Sequence, residues 1–127
     1  MTGVRVRPGT AADVAAVARI WSEGWADGHA GHVPDALAAE RAPASFQPRA
    51  TERIGSTWVA DAGGAVAGFV VVVDAEVEQI YVDRGWRGRG VAERLLRHAE
   101  AEIGKGGRRI AWLAVVAGNA RARKFYA

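Results

Sequence analysis

Cysteine is absent from the 127 residues, which excludes disulfides, zinc ribbons and thiol nucleophiles. Long apolar runs are absent as well. None approaches the roughly 18 residues that a membrane-spanning helix needs, and the opening MTGVRVRPGT has no apolar stretch of the secretory kind. The expectation is a cytoplasmic protein with no membrane partner. Charge of one sign is scarce: 17 basic against 14 acidic residues leave a net +3, too little to coat the chain for nucleic acid. Lysine is nearly missing, with only Lys105 and Lys124, so the positive charge is arginine, which favours planar, bidentate contact with phosphates. Arginine gathers at 84–97 and 108–123, whereas 23–40 and 74–83 lean acidic. Such a division points to a local anion site. Repeats and linkers are lacking too, and residues 1–127 read as a single domain of mixed α/β class.

What is present is a clear alternation of patterns. GVRVR (3–7) reads as a short strand ended by Pro8, and TAAD (10–13) as a capping box with Asp in the usual Glu place. Val14, Val17, Ala18 and Trp21 then draw one apolar helical stripe that extends to Trp25. Residues 26–50 hold three prolines and little periodicity, so they read as loop apart from a short helix at 35–41. STWVADA (56–62) and AVAGFVVVVDA (65–75) are strands joined by Gly63-Gly64, and EVEQIYV (76–82) is a third. Continuous apolarity at 69–73 predicts a strand covered on both faces. A helix over 90–104 turns Val91, Leu95, Leu96, Ala99 and Ile103 inward, with Glu93 and Arg97 as a solvent pair. RRIAWLAVV (108–116) predicts a further strand, and GNARARKFYA the start of a last helix.

RGWRGRGVA (84–92) sits between the third strand and the helix after it. A loop leaving a strand for a helix aims unpaired backbone N–H groups and the helix dipole at one spot, which suits an anion. Glycines allow the backbone to close on phosphate oxygens, and Arg87 and Arg89 add charge. Two other readings stand beside this one. Gly85, Gly88 and Gly90 also make an ordinary tight turn, and RGWRGRG resembles a short RNA contact with Trp86 stacking on bases. The loop is neither a P-loop, lacking Gly-Lys-Ser/Thr, nor a dinucleotide fingerprint, lacking a leading βαβ unit.

Arg87-Gly88-Arg89-Gly90-Val91-Ala92 resembles the Arg/Gln-x-x-Gly-x-Gly/Ala signature of the GNAT N-acetyltransferases. EVEQIYVD resembles the strand before that signature, and Asn119, Ala122, Phe125 and Tyr126 resemble the family's later Asn-x-x-Ala-x-x-Phe-Tyr segment. The likeness covers about residues 3–127. It implies a mostly antiparallel mixed sheet flanked by helices, splayed into a V-shaped slot between the strands at 78–82 and 110–116. It also implies acetyl-CoA as acetyl donor, with its pyrophosphate on the amides of Arg87, Gly88, Arg89, Gly90, Val91 and Ala92. The pantetheine arm would run along Ile80, Tyr81 and Val82, Asn119 would help to hold it, and Tyr126 would protonate the departing thiolate. Family members continue past Phe-Tyr with a Gly-Phe turn and two strands. The sequence stops at Ala127, so the closing hairpin is expected to be missing and a homodimer to cover strand 108–116.

Acetyl transfer to an amine needs a base for the amine, an acid for the thiolate and a donor for the carbonyl oxygen. The Val82 N–H is a candidate donor. Glu76 and Glu78 are candidate bases: alternation puts both on the face of Ile80 and Val82, and a solvated strand end or a water chain are the alternatives. Glu76 falls where the family often keeps a carboxylate. His29 and His32 lack a third ligand for a metal, and His98 reads as surface. The expected acceptor is a primary amine on a small molecule or protein, which Glu23, Asp27, Asp35 and Glu40 would attract. A coenzyme A-binding module without catalysis is the alternative, and an RNA-binding domain the more distant one.

Overall fold

A computed structural model describes residues 3–29 and 43–105 of the chain. Four strands, β1 (Arg5–Pro8), β2 (Thr57–Ala62), β3 (Ala65–Val73) and β4 (Glu76–Val82), form one antiparallel sheet in the order β1-β2-β3-β4. Helices α1 (Val14–His29) and α2 (Phe46–Arg53) cover one face, and α3 (Val91–Lys105) covers the other. The expected mixed α/β architecture with helices flanking an antiparallel sheet is therefore present. The expected helix at 35–41, strand 108–116, last helix, splayed slot, closing hairpin and dimer-forming edge lie outside the described residues.

The two faces follow from alternation along β3. Phe69 and Val71 point to α1 and α2, Val70 points to α3, and all three are fully buried. On the first face Val17, Ile20 and Trp21 of α1 meet Phe46 of α2. Ring centroids stand 6.0 Å apart for Trp21 and Phe46, 5.7 Å for Trp21 and Phe69, and 6.0 Å for Phe69 and Tyr81. These are distances at which tilted aromatic pairs attract beyond their buried area. On the second face the stripe Val91, Leu95, Leu96, Ala99 and Ile103 is buried as its helical spacing requires.

The start of α1 is set by charge. Thr10 donates from its backbone N–H to Asp13 Oδ2 at 2.8 Å, while Arg7 Nη1 and Nη2 reach Asp13 Oδ2 and Oδ1 at 2.8 and 3.0 Å. Arg7 Nε also donates to Asp61 Oδ2 at 2.8 Å, so one guanidinium ties β1, β2 and the 3-10 turn Ala11–Asp13 together. The capping role read at Thr10 and Asp13 holds, but the helix proper begins at Val14, after that turn.

Four expectations are corrected. Much of 42–50 reads as loop, yet α2 begins at Phe46. Pro48 stands in its first turn, where a missing N–H leaves no bond unmade. α1 runs on to His29, past the Trp25 that ended the apolar stripe, because Asp27 is anchored by ion pairs described below. Glu93 and Arg97 are both exposed but make no ion pair with each other or with any other described residue. His98 is half-buried rather than freely exposed: its ring packs against Trp58 with centroids 4.2 Å apart, and Nε2 lies 3.4 Å from Glu102.

Candidate active site

β4 ends at Val82, and the Asp83 N–H donates to the Ala67 carbonyl at 2.8 Å as the last bond of the ladder. Backbone groups alternate sides along a strand, so the N–H and C=O of Val82 point away from β3. The Val82 carbonyl accepts from Arg87 Nε at 3.1 Å, and its N–H has no partner among the described residues. After a 3-10 turn at Arg84–Trp86, Gly88 and Gly90 adopt φ of 79° and 81°, values that disfavour any side chain. A Cβ at either glycine would meet nothing within 4 Å, so backbone handedness alone selects glycine there. The Arg94 N–H then bonds the Gly90 carbonyl at 3.2 Å and α3 begins.

The first N–H groups of a 15-residue helix thus emerge from an exposed loop at the end of a sheet strand. Val91, 2 % exposed, fixes the helix start against the sheet from below. Such a constellation offers geometry and partial positive charge to an anion.

The arginines divide. Arg84 and Arg87 both reach Asp27 of α1, at 2.7 and 2.9 Å. The Arg84 hydrogen bond, assisted by that of Arg87, holds the Asp27 carboxyl below the usual carboxylate range against a smaller opposing effect of burial. Arg89 lies over the Trp86 ring, 5.1 Å from its centroid, a cation–π distance. The expectation that Arg87 and Arg89 serve alike is therefore refined: Arg87 is engaged by α1 and β4, while Arg89 rests on an aromatic.

Glu76 and Glu78 do not share a face with Ile80 and Val82, contrary to simple alternation. Val71 pairs with Gln79 but Val72 pairs with Val77, so Glu78 is an extra, bulged residue. The bulge leaves Ile80, Val82 and Val77 toward α3, and puts Glu76 opposite Val73 on the face of α1 and α2. Glu78 Oε1 accepts from Arg53 Nε at 2.8 Å, at the end of α2. The Glu76 side chain, half-buried, makes no hydrogen bond or ion pair among the described residues. Tyr81, whose ring is buried on that same face, belongs to the aromatic core. Asn119 and Tyr126 lie outside the described residues, as does His32. No group of three metal-ligating side chains occurs among the described residues, and no described helix is long and apolar enough to cross a membrane.

Asp27 is the residue that sequence reasoning undervalued, as one of several acids in 23–40. Its partners are 57 residues away in Arg84, and no local pattern signals that pairing.

Residues 15–127 match the acetyltransferase (GNAT) family. Among solved structures, a GCN5-related N-acetyltransferase from Ralstonia eutropha JMP134 shares 24% identity, with a TM-score of 0.70 over 98% of this chain and 91% of that one. YjaB from Escherichia coli shares 22%, with a TM-score of 0.67 over 98% of this chain and 79% of its own. PaiA N-acetyltransferase from Thermoplasma acidophilum, in complex with coenzyme A, shares 15%, with a TM-score of 0.63 over 83% of this chain and 74% of its own. At these identities the likenesses establish the fold. No curated protein sequence matches the chain. With the family match covering all but its first 14 residues, the chain belongs to the acetyltransferase (GNAT) family, an acyl-transferring one.

Proposed function

We propose that the protein is an N-acetyltransferase that moves the acetyl group of acetyl-CoA to a primary amine of a small molecule or protein, within one domain. The observation that carries this reading is the exposed amide run at the head of α3, opened by Gly88 and Gly90 at the end of β4. In this reading the amides of 87–92 hold the pyrophosphate, with Arg89 adding charge. The pantetheine arm lies along the backbone of Ile80, Tyr81 and Val82, with Asn119 helping to hold it.

The chemistry follows from what the donor and acceptor require. The amine nitrogen loses a proton and attacks the thioester carbonyl, a C–N bond forms, and the C–S bond breaks with the electrons leaving on sulfur. The Val82 N–H, which points away from β3 and has no partner among the described residues, is the donor for the developing oxyanion. Glu76 is the better base of the two, directly or through a water, because Glu78 is committed to Arg53. Tyr126 returns a proton to the thiolate. The PaiA structure with coenzyme A bound shows that this fold accepts such a ligand in that protein, which supports the assignment here.

Two measurements test the proposal together. Calorimetry with acetyl-CoA should give saturable binding, and Gly90→Asp should abolish it, since it puts a side chain at φ 81° and an anion against the phosphates. Unchanged affinity in that variant contradicts the placement. Release of free CoA thiol with a panel of amines distinguishes an enzyme from a module that binds coenzyme A and transfers nothing.

A further inference from the structure

Apolar packing holds residues 83–90 at one point, Trp86, which lies half-buried against the core under α3. Arg84, Gly85, Arg87, Gly88, Arg89 and Gly90 are exposed, and a Cβ at any of the three glycines would meet nothing within 4 Å. A glycine-rich loop with so few apolar contacts samples many backbone states, and a ligand that needs one of them binds more weakly for it. Polar struts from α1 supply the missing restraint. Arg84 donates from Nε to Asp27 Oδ2 at 3.0 Å and from Nη2 to Oδ1 at 2.7 Å. Arg87 Nη1 stands 2.9 Å from the same Oδ2, and its Nε ties back to the Val82 carbonyl. Beside this, Arg19 joins Glu23 on its own helix to Asp83 at the head of the loop, at 3.1 and 3.3 Å.

We infer that Asp27 is a positioning residue for acetyl-CoA: by gripping Arg84 and Arg87 together it braces the 83–90 backbone in the conformation that presents the α3 amides. The inference rests on the function proposed above and assigns the loop's arginines distinct duties. Arg84 and Arg87 are braces. Arg89, held over Trp86 and engaged by no carboxylate among the described residues, is the loop arginine available to phosphate. The negative charge of Asp27 does not repel the ligand, because two guanidiniums outweigh it and the trio remains net positive.

The test is calorimetric titration of acetyl-CoA into the full-length protein and its variants. It is run at an ionic strength of about 0.3 M, where the screening length falls to roughly 5–6 Å and remote charge effects are suppressed. Asp27→Ala is expected to weaken binding about fivefold, the scale of losing two partly exposed ion pairs. Its kcat at saturating acetyl-CoA should stay unchanged while KM rises, a split that general destabilisation does not produce. Asp27→Glu, which keeps the carboxylate, should recover most of the affinity. Asp27→Ala combined with Arg87→Ala should weaken binding by less than the two single changes added together, because the two share one of the contacts of Asp27 while its grip on Arg84 is lost only with Asp27. Equal or tighter binding by Asp27→Ala, or full additivity in the double variant, overturns the inference. A wild type that binds no acetyl-CoA overturns the proposed function as well, whereas a binding wild type with an equally binding Asp27→Ala overturns only the brace.

Discussion

Asp13 accepts hydrogen bonds from Thr10 N–H and hydroxyl and from two nitrogens of Arg7, and it is one of two polar residues buried among the described ones. The Arg7 hydrogen bond, ahead of the opposing effect of burial, holds its carboxyl below the usual range. A carboxylate with a depressed pKa in the folded state adds stability that is fully present above its unfolded value near ~4. That stability drains away as pH falls through the folded value. Asp13→Asn should therefore lower the urea midpoint at pH 7 and flatten its decline toward about pH 3. Asp61, also lowered by Arg7, keeps some slope in the variant. A variant with the wild-type slope would show that this carboxylate is not the acid-sensitive one. At the same scale, the two candidate bases separate cleanly. Glu76→Gln should cut kcat by about 10²-fold, the lower end for loss of general-base assistance. Glu78→Gln should change kcat little and act through its Arg53 ion pair on stability. Thiol-release kinetics at saturating substrates decide between them, and the opposite ranking would move the base to the bulge.

At the scale of elements, the contact of α1 with β4 supports the candidate site. A Cβ at Gly24 would stand 2.1 Å from Tyr81 Cδ1 and 2.7 Å from Cε1, so the helix lies directly on a ring that is 2 % exposed and has no room to swing. Gly24→Ala gains helix propensity of about 1 kcal/mol but forces α1 off the strand. Overpacking should win, for a net loss of about 1–3 kcal/mol in denaturant unfolding. No change in stability would mean that α1 and β4 have slack between them. This approach was hidden in the sequence, where nothing around Gly24 signals the ring it lies on. The stripe of α3 was legible because five apolar residues at helical spacing stand between glycine-rich borders. β2 to β4 were legible because Gly63-Gly64 and Asp74-Ala75 punctuate continuous apolar runs. α2 was not, since proline reads as a breaker unless its place in a first turn is known. The bulge at Glu78 was not legible either. Alternation is a property of one strand, and only the register against β3 shows that a residue is extra. The signature at 87–92 marked a candidate site in the sequence, while the grip of Asp27 on that loop depended on a fold that brings residues 57 apart together.

For the whole molecule, the sheet separates two kinds of core. Aromatic rings from α1, α2, β3 and β4 dominate one side, and aliphatic side chains, with Trp58 and Trp86 at the margin, fill the side under α3. The aliphatic layer seats α3 close to the sheet, and the aromatic layer seats α1 beside the same end of β4. Both helices therefore converge on residues 82–91, one offering amides and the other a carboxylate brace. The central claim is that the amides opening α3 hold the pyrophosphate of acetyl-CoA. It is tested most directly by following every backbone amide in solution by NMR as acetyl-CoA is titrated in. Saturable shifts concentrated at residues 87–92 and at Val82 are the predicted result. Saturable binding that leaves those amides unmoved, with its shifts elsewhere on the molecule, would contradict it.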